Sequence, residues 1–296
     1  SKGQKHITCG KVQITPTATG AVPQITNITA DKTTVEAGKD VTYSATATEG
    51  SGRVSRGLVI TDPNMFKMPA ALQVGNSYTY ALWVKADKFA HDKQGTNLIS
   101  KNTIKDGWPH NNWGDLWVQI RPQWKEHMAN EVSFNTMGWE AHDEPNSSVM
   151  TKEHPMTVGV WYHLAITHHD NGLHEMYVNG MKVGSGYQSS SKRRETRGDN
   201  RIKASEPADI FIGGGGVYKS GFNGSVDEIQ IWNKPLSAEE VQRAMQGYKD
   251  SEVPEGLQGY FTFEKMNADG TFPNLGKGGA DKTGSLVQLV GSGGEN

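Results

Sequence analysis

Cysteine is almost absent from this sequence of 296 residues, in which Cys9 is the only one. A single cysteine excludes a disulfide within the chain, and it excludes a metal site built from several thiolates. It leaves the redox compartment open, because neither an oxidising nor a reducing environment requires more cysteine than this. We interpret Cys9 as a small, half-buried side chain.

The sequence also lacks an excess of charge of either sign and any long apolar run. Its formal net charge is −2, whereas a surface that binds nucleic acid normally shows as a basic excess, so we expect no nucleic-acid partner. No apolar stretch approaches the ~20 residues of a membrane-spanning helix, so we expect no membrane span. The first residue is Ser1 rather than methionine. This is compatible with a removed secretory or lipoprotein signal, and hence with a lipid anchor at a removed N-terminus.

Helix-spaced apolar patterns are nearly missing, and short alternating segments take their place. Examples are "SYTYALWVK", "LWVQI", "WYHLAIT" and "DEIQIW", with glycine-rich turns between such segments. Many short strands without intervening helices predict an all-β antiparallel sandwich. The pairs Asn171-Gly172 and Asn179-Gly180 suit tight hairpin turns, so residues 160–185 are predicted to form a three-stranded meander.

One segment, "PLSAEEVQRAMQGY", departs from the strand pattern. Ser237 and Glu240 have the spacing of a capping box, and Leu236 and Val241 have the spacing of a hydrophobic staple. These signals predict a short helix at 237–248. Its apolar face is small, so we expect the helix to pack on the surface of a sheet.

Residues 1–55 differ in composition from the rest of the chain. They are rich in Thr, Ala and Lys and contain no Trp, and the part "EAGKDVTYSATA" resembles the early strands of an immunoglobulin-like or PKD-like module. Too little chain follows to complete such a module. The segment is therefore predicted to be either a reduced β module or strands that dock on the main domain, with a boundary near residues 50–52.

Four segments in order carry a family resemblance: "GNSYTYALWVKADKF", "NLISK", "VGVWYHLAITHHDNGLHEMYVNGMKVGSG" and "ADIFIGGGG…FNGSVDEIQIWNKPLSAEEV". Together they resemble the laminin-G-like jelly rolls of the concanavalin A-like lectin/glucanase superfamily, over residues 56–292. The resemblance implies two curved antiparallel sheets, a carbohydrate or protein ligand, and often one bound calcium ion. Similar domains are common in secreted and surface proteins, including surface lipoproteins of Bacteroidetes. An extracellular or cell-surface location is therefore implied.

The adjacent carboxylates Asp227 and Glu228 are the first candidate site. Strand alternation places Asp227 on one face with Ile229 and Ile231, and it places Glu228 on the opposite face. Two carboxylates on opposite faces cannot flank one scissile bond. The glucanases of the resembling superfamily have a Glu-x-Asp-x-x-Glu motif, and here no Glu is followed two residues later by Asp. We therefore predict no catalytic residues and no enzyme.

Asp227 needs a partner if it lies beside two isoleucines, because an unpaired buried carboxylate is unstable. Calcium is one candidate partner and loop amides are the other. In the resembling family the Asp of this signature often serves calcium. We predict that Asp227 is structural and that it holds either the metal or the amides, while Glu228 faces away from it.

A second candidate site is the tryptophan-rich segment "DGWPHNNWGDLWVQIRPQW". Tryptophan rings bind the C–H faces of sugars, and Asn, Asp, His and Arg side chains bind their hydroxyls. Alternation in "LWVQIR" puts Leu116, Val118 and Ile120 on the core face and Trp117, Gln119 and Arg121 on the other. Alternatively, these tryptophans cover the ends of the sheet. The glycan-binding residues that we predict are Trp108, His110, Asn112, Trp113, Trp117, Arg121, Trp124 and, on the opposite wall, Trp139.

The histidines of "HHDNGLHE", at 168–175, have the composition of a zinc site. Neighbouring residues on a strand point to opposite faces, so the cluster cannot converge on one ion. These histidines are predicted to be solvated turn residues.

The leading functional hypothesis is a non-catalytic carbohydrate-binding module. Two alternatives stay open at this point. One is a protein-interaction or adhesion module, which a flat apolar patch would favour. The other is a glycoside hydrolase with an atypical acid pair such as Glu140 and Asp143.

Overall fold

A computed structural model describes residues 24–30, 43–48, 57–73, 75, 77–88, 96–102, 104–105, 108–109, 117–121, 131–135, 148–150, 156–171, 173–187, 208–214 and 221–288. At 24–30, 43–48, 102, 104–105, 108–109, 117, 121, 131–135, 148–150, 186 and 187, only the backbone is described.

The described strands are numbered along the chain. They are β1 (Gln24–Ala30), β2 (Tyr43–Thr48), β3 (Leu58–Ile60), β4 (Asn64–Met68), β5 (Tyr78–Lys88), β6 (Thr96–Asn102), β7 (Ile104–Lys105), β8 (Trp108–Pro109), β9 (Trp117–Arg121), β10 (Glu131–Asn135), β11 (Ser148–Met150), β12 (Trp161–His168), β13 (Leu173–Val178), β14 (Met181–Tyr187), β15 (Asp209–Ile212), β16 (Asn223–Trp232), β17 (Leu257–Phe261) and β18 (Ser285–Gln288). One α-helix, α1 (Ala238–Ala244), and two 3-10 turns (Ala70–Leu72 and Asp250–Glu252) accompany them.

The chain divides into two compact units, Ser1–Ser55 and Arg56–Asn296. In the first unit β1 and β2 pair antiparallel, with a register shift between Ile25 and Asn27. The assignment of this unit to an immunoglobulin-like or PKD-like module stays a prediction.

The second unit is built around two antiparallel sheets. The front sheet has the strand order β11-β10-β9-β6-β15-β4-β18, and the back sheet has the order β14-β13-β12-β5-β16-β17, with β3 also paired to β16. A further pair, β7 and β8, forms a small separate ladder. This is the predicted two-sheet jelly-roll sandwich, and the all-β prediction is confirmed.

One apolar core fills the space between the two sheets. Phe66 of the front sheet and Phe261 of the back sheet meet edge to face, with ring centroids 5.3 Å apart. Phe263 and Phe272 pack on the same Phe66 ring, so four aromatic rings join the layers at one end. Edge-to-face contacts of this kind add stability beyond the area that they bury.

The predicted meander is confirmed as β12, β13 and β14, which are neighbours in the back sheet. Asn179 and Gly180 both have positive φ, of 50° and 77°, as the tight turn between β13 and β14 requires.

The predicted helix is also confirmed, although α1 ends at Ala244, before the predicted end at 248. Ser237 accepts a hydrogen bond from the backbone of Glu240, and the Glu240 carboxylate accepts one from the backbone of Ser237. Leu236 and Val241 are buried together against the back sheet. The helix is shorter because Gly247, at φ 66°, turns the chain back toward the sheet.

In the part of the chain that the structure describes, no helix has the length and apolar character that crossing a membrane would need.

Candidate functional site

The outer face of the front sheet, which is turned away from the core, carries the predicted ligand strand β9. Val118 and Ile120 are buried in the core between the sheets, as alternation predicted. Gln119 lies between them and therefore on the outer face. In the ladder with β6, Gln119 pairs with Asn97 and Trp117 pairs with Ser100.

Three polar side chains form a fixed layer on this outer face, and we call Asn97, Ser100 and Gln119 the amide layer. The Gln119 Nε2 donates to Asn97 Oδ1 over 3.0 Å. The Ser100 Oγ donates to the carbonyl oxygen of Gly214 over 2.8 Å. All three side chains are buried, so their hydrogen bonds hold them in defined positions.

A charged pair lies on the neighbouring strands of the same sheet. On the same face Lys67 Nζ lies 2.9 Å from Asp209 Oδ2, and each side chain is about one third exposed. The other Asp209 oxygen accepts a hydrogen bond of 3.3 Å from the backbone of Ala70. The charged pair is therefore partly exposed on this face, whereas the amide layer is buried and holds the strands in place.

Of the eight predicted glycan-binding residues, three are described by their backbone alone and five are not described. The backbone of Trp117 and Arg121 lies at the two ends of β9, and that of Trp108 lies in β8. His110, Asn112, Trp113, Trp124 and Trp139 lie outside the described residues, as do Glu140 and Asp143. The structure thus places Trp117 and Arg121 on one strand beside the amide layer, and the other assignments stay predictions.

Sequence reasoning missed Asn97 and Ser100. The segment "NLISK" contributed only to the family resemblance, and its polar residues do not alternate as those of a regular half-buried strand do. The register between β6 and β9 shifts between Asn97 and Ile99, so that Leu98 and Ile99 are both buried in the core. In an irregular strand of this kind, period-two alternation does not identify the residues of the outer face.

The second candidate site, at Asp227 and Glu228, departs from the predicted alternation. In the ladder with β5, Asp227 pairs with Trp83 and Gln230 pairs with Ala81, so β16 contains one extra residue. Glu228 has φ 50°, in the left-handed region. The strand therefore has a β-bulge at this point, which reorients the residues that follow.

The bulge brings both carboxylates to the same face of the back sheet. Val226, Ile229 and Ile231 lie in the core between the sheets. Asp227 shares the outer face with its partner Trp83, and Glu228 reaches Tyr260 on that face. The predictions that Asp227 lies beside Ile229 and Ile231, and that Glu228 faces away from Asp227, were wrong. The alternation rule assumes an unbroken strand.

These outer-face residues hold the C-terminal end of α1. Gln230 Nε2 donates to the carbonyl oxygen of Ala244 over 2.9 Å, and Trp83 Nε1 donates to that of Met245 over 3.1 Å. The last carbonyl groups of a helix lack partners within the helix, so these side chains satisfy them. The "DEIQIW" signature therefore docks the helix that follows it.

The Glu228 carboxylate belongs to the same arrangement. Its Oε2 accepts a short hydrogen bond from the Tyr260 hydroxyl. The Tyr260 oxygen in turn accepts a hydrogen bond of 2.9 Å from the backbone of Tyr248. A Cβ atom on Gly247 would lie 2.6 Å from Glu228 Oε2, so the chain can pass here only without a side chain. We call Glu228, Tyr260, Gly247 and Tyr248 the clasp.

Both carboxylates are buried, at 6% exposure for Asp227 and 9% for Glu228. Asp227 Oδ1 accepts a hydrogen bond of 2.8 Å from the backbone of Glu228, which makes it a local anchor of the bulge. The two carboxylates lie on the same face of the sheet, so the argument that opposite faces exclude a catalytic pair does not apply to them. Both are buried and are hydrogen-bonded within the bulge or the clasp, and the structural role of Asp227 stays a prediction.

The histidine pair of the meander is buried rather than solvated. His168 on β12 and His174 on β13 are direct ladder partners, and both are buried on the core face. His168 stacks on Tyr78, with ring centroids 4.9 Å apart. His169 points the other way and lies 3.6 Å from Glu175. Among the described side chains, no group of three or more His, Cys, Asp or Glu could hold a metal ion.

His163 is a further buried histidine, on the outer face under the end of α1. It pairs with Trp83 across the ladder, and the two rings meet edge to face at 5.3 Å. Neither ring nitrogen has a hydrogen-bond partner. Burial lowers the pKa of His163 to about 3, so the ring is neutral at physiological pH.

Two kinds of comparison relate this chain to known proteins. A laminin-G-like family model of the concanavalin A-like lectin/glucanases superfamily matches residues 61–242. Among solved structures, a candidate carbohydrate-binding protein from Bacteroides ovatus superposes with a TM-score of 0.52 at 15% identity, over 90% of this chain and 71% of that one. At this identity the likeness concerns the fold alone. Among curated proteins, no sequence matches the chain significantly.

Two further solved structures superpose with lower TM-scores. Domain 4 of AbnA, an extracellular arabinanase of Geobacillus stearothermophilus, solved with arabinotriose, superposes with a TM-score of 0.46 at 19% identity, over 74% of this chain and 87% of that one. A pentraxin from Limulus polyphemus gives a TM-score of 0.44 at 13% identity, over 78% and 92%. The two-sheet sandwich and the family match over most of the second unit lead to one conclusion: the chain belongs to the concanavalin A-like lectin/glucanases superfamily.

Proposed function

We propose that this chain is a non-catalytic carbohydrate-binding module of a secreted or cell-surface protein. The observation that carries the proposal is the amide layer on the outer face of the front sheet, in register with the strand that bears Trp117 and Arg121. In this arrangement Trp117 and the tryptophans of 108–124 would supply apolar faces for sugar rings. The amide layer would hold the strands of the site in place.

The non-catalytic part of the proposal depends on the carboxylates. A glycosidase needs two accessible carboxyl groups on either side of the bond that it cleaves. Asp227 and Glu228 are buried and engaged within the bulge and the clasp. The alternative acid pair, Glu140 and Asp143, lies outside the described residues. If the protein released reducing sugar from a polysaccharide, it would be a glycoside hydrolase instead.

Calcium at Asp227 is part of the proposal as a structural ion. Calcium takes six to eight oxygen ligands, which include carboxylates, backbone carbonyls and water. Asp227 would supply a carboxylate, and the remaining ligands would be carbonyl oxygens or water, because no described cluster of three acidic or histidine side chains is present there. The ion would supply positive charge that stabilises a buried carboxylate.

A glycan array followed by calorimetry tests the proposal. We expect wild type to bind at least one glycan and Trp113→Ala, Trp117→Ala or Trp124→Ala to weaken that binding by about tenfold or more, which corresponds to about 1.4 kcal/mol. Leu286→Ala is the matched control, since Leu286 is an exposed apolar residue on the edge strand of the same sheet. If wild type bound no glycan, the alternative of a protein-interaction or adhesion module would replace the proposal.

A further inference from the structure

The outer face of the back sheet is covered by α1 around Trp83 and Gln230. One row further along the strands, four residues lie side by side on β12, β5, β16 and β3. Their ladder pairings run from Trp161 to Lys85, from Lys85 to Ser225, and from Ser225 to Val59. We call these four residues the Trp161 row. Directly opposite residues share one face of a sheet, so the row forms a continuous strip.

The strip is exposed at both ends. Trp161 is 38% exposed and Val59 is 64% exposed. A large aromatic residue on a soluble protein is usually well buried, so an exposed tryptophan on a regular strand needs an explanation. The backbone hydrogen bonds of β12 to β5 hold the position of this residue.

The ring of Trp161 is held in place on two sides. A Cβ atom on Gly57 would lie 3.3 Å from the ring edge at Cη2, so the main chain at Gly57 passes close to the ring. The Lys85 ammonium lies 5.6 Å from the ring centroid, within the range of a cation–π contact. A ring that is already fixed loses little freedom when a ligand stacks on it.

Hydrogen-bonding groups lie directly beside the ring. Lys85 Nζ is 3.8 Å from Asp87 Oδ1, and Asp87 is exposed. The pair offers a donor and an acceptor next to an aromatic surface, and its two charges cancel. A neutral ligand therefore fits this strip better than an acidic one.

Two occupants compete for such a surface. Val158 and Val160, in the turn that leads into Trp161, are exposed and would suit a protein partner. However, Lys85 and Ser225 separate Trp161 from Val59 in the row, whereas the centre of a protein interface is depleted of charge. An aromatic ring flanked by one donor and one acceptor suits a sugar, whose C–H face and hydroxyls are adjacent.

We propose that the Trp161 row is a second glycan subsite, on the opposite side of the sandwich from the amide layer, and that it takes a neutral sugar chain. This inference rests on the carbohydrate-binding function proposed above. A sugar ring stacks on Trp161, and its hydroxyls bond to Lys85 and Asp87.

The test measures binding of the full chain to neutral polysaccharides (arabinan, mannan and β-glucan) and to acidic ones (polygalacturonate and hyaluronan). Trp161→Ala is expected to weaken binding to a neutral polysaccharide by about tenfold, and Trp161→Phe to keep part of it. Asp87→Asn is expected to shift the preference toward acidic chains, because the Lys85 charge is then unbalanced. Met181→Ala, an exposed apolar residue of the same sheet, is the control and is expected to bind as wild type does.

The outcomes separate the two proposals. If wild type binds a neutral polysaccharide and both Trp161 variants bind it equally well, the second subsite is overturned, the carbohydrate-binding function stands, and the strip is left to a protein partner. If wild type binds only acidic chains, the subsite is also overturned. If wild type binds no polysaccharide, both proposals fall. If Trp161→Ala lowers the melting temperature, the test of the subsite rests on the binding of Trp161→Phe, because that variant keeps an aromatic ring at this position.

Discussion

At the scale of the residue, Glu228 is the unusual position. A non-glycine residue in the left-handed region is less stable there by roughly 1–2 kcal/mol, and Glu228 holds φ 50° within a strand. Its carboxylate is fixed by the Tyr260 hydroxyl, and its backbone N–H is fixed by Asp227. These two hydrogen bonds, one to the side chain and one to the backbone of Glu228, stabilise the bulge despite its strained backbone.

Removing the Tyr260 hydroxyl tests the clasp. Tyr260→Phe removes one hydrogen-bond donor to the buried Glu228 carboxylate and one acceptor for the backbone N–H of Tyr248, so we expect a loss of about 2–3 kcal/mol in the free energy of unfolding. The matched control is Tyr177→Phe. The Tyr177 hydroxyl, which this variant lacks, donates to the partly exposed Glu175 over 3.2 Å. We expect the control to lose less than about 1 kcal/mol. Equal losses for both variants, measured by denaturant unfolding, would contradict a role for the clasp.

His163 predicts an acid-sensitive contribution to stability. Its pKa in the folded state is about 3, below the ordinary value of 6.5, so the unfolded chain takes up a proton that the folded chain excludes. The contribution is complete above pH 6.5 and is lost as the pH falls from 6.5 toward about 3, at up to about 1.4 kcal/mol per pH unit.

The variant His163→Leu removes this titration. We expect its free energy of unfolding, measured between pH 7 and pH 4, to fall less steeply with acidity than that of wild type. Met181→Ala should follow the wild-type slope, because it changes no titratable group. Parallel curves for wild type and His163→Leu would show that the ring takes up a proton in the folded state as readily as in the unfolded state.

At the scale of the element, α1 is a short helix whose two ends are fixed by different means. Its N-terminus is closed by its own capping box, whereas its C-terminus is held by Gln230 and Trp83 from the sheet. A seven-residue helix is marginal by itself in water. Its stability therefore depends on docking as much as on its own sequence.

Ser237→Ala tests the N-terminal half of this arrangement. The substitution removes the acceptor for the backbone of Glu240, and loss of an N-cap costs about 1 kcal/mol in the free energy of unfolding. Ser251→Ala is the control, because Ser251 is an exposed serine in the following 3-10 turn. Denaturant unfolding with no difference between the two variants would show that docking alone maintains the helix.

The elements differ in how far the sequence predicts them. The meander and α1 follow from local signals, since Asn179-Gly180 fixes a turn and Ser237 with Glu240 fixes a helix start. The bulge at Asp227 and Glu228 does not follow, because its cause is long-range: Tyr260 lies 32 residues further along the chain. The burial of His168 and His174 is a different case, because alternation alone places them on the core face with Ile166 and Met176.

At the scale of the whole molecule, the two sheets present two outer faces with different chemistry. The front face carries the amide layer, and the back face carries α1 and, beyond it, the Trp161 row. The sandwich and its core strands could be predicted from alternation, as Val118 and Ile120 demonstrate. The chemistry of the outer faces could not, because it depends on which strands become neighbours: β6 and β9 bring Asn97 to Gln119.

A structural calcium ion would act on the molecule as a whole. We expect wild type to melt at a higher temperature in excess calcium than with chelator, because an ion bound only by the folded state stabilises it by mass action. Asp227→Asn is expected to abolish this difference, since calcium prefers a charged oxygen. Asp269→Asn, at an exposed turn aspartate, is expected to keep it. Identical melting of wild type in both conditions would leave Asp227 with hydrogen bonds alone.

The extra residue in β16 has a consequence for changes in chain length. Removing one residue between Asp227 and Ile229 would restore strict alternation across the strand. Asp227 would then be followed directly by Ile229, so Ile229 and Ile231 would keep the core face and Gln230 would keep the face toward α1. Deleting Glu228 should therefore leave the core residues of β16 on their present face, and it should remove the bulge together with the carboxylate that Tyr260 binds. A graft of α1 onto another sandwich would have to carry the strand residues from Val226 to Trp232 with it.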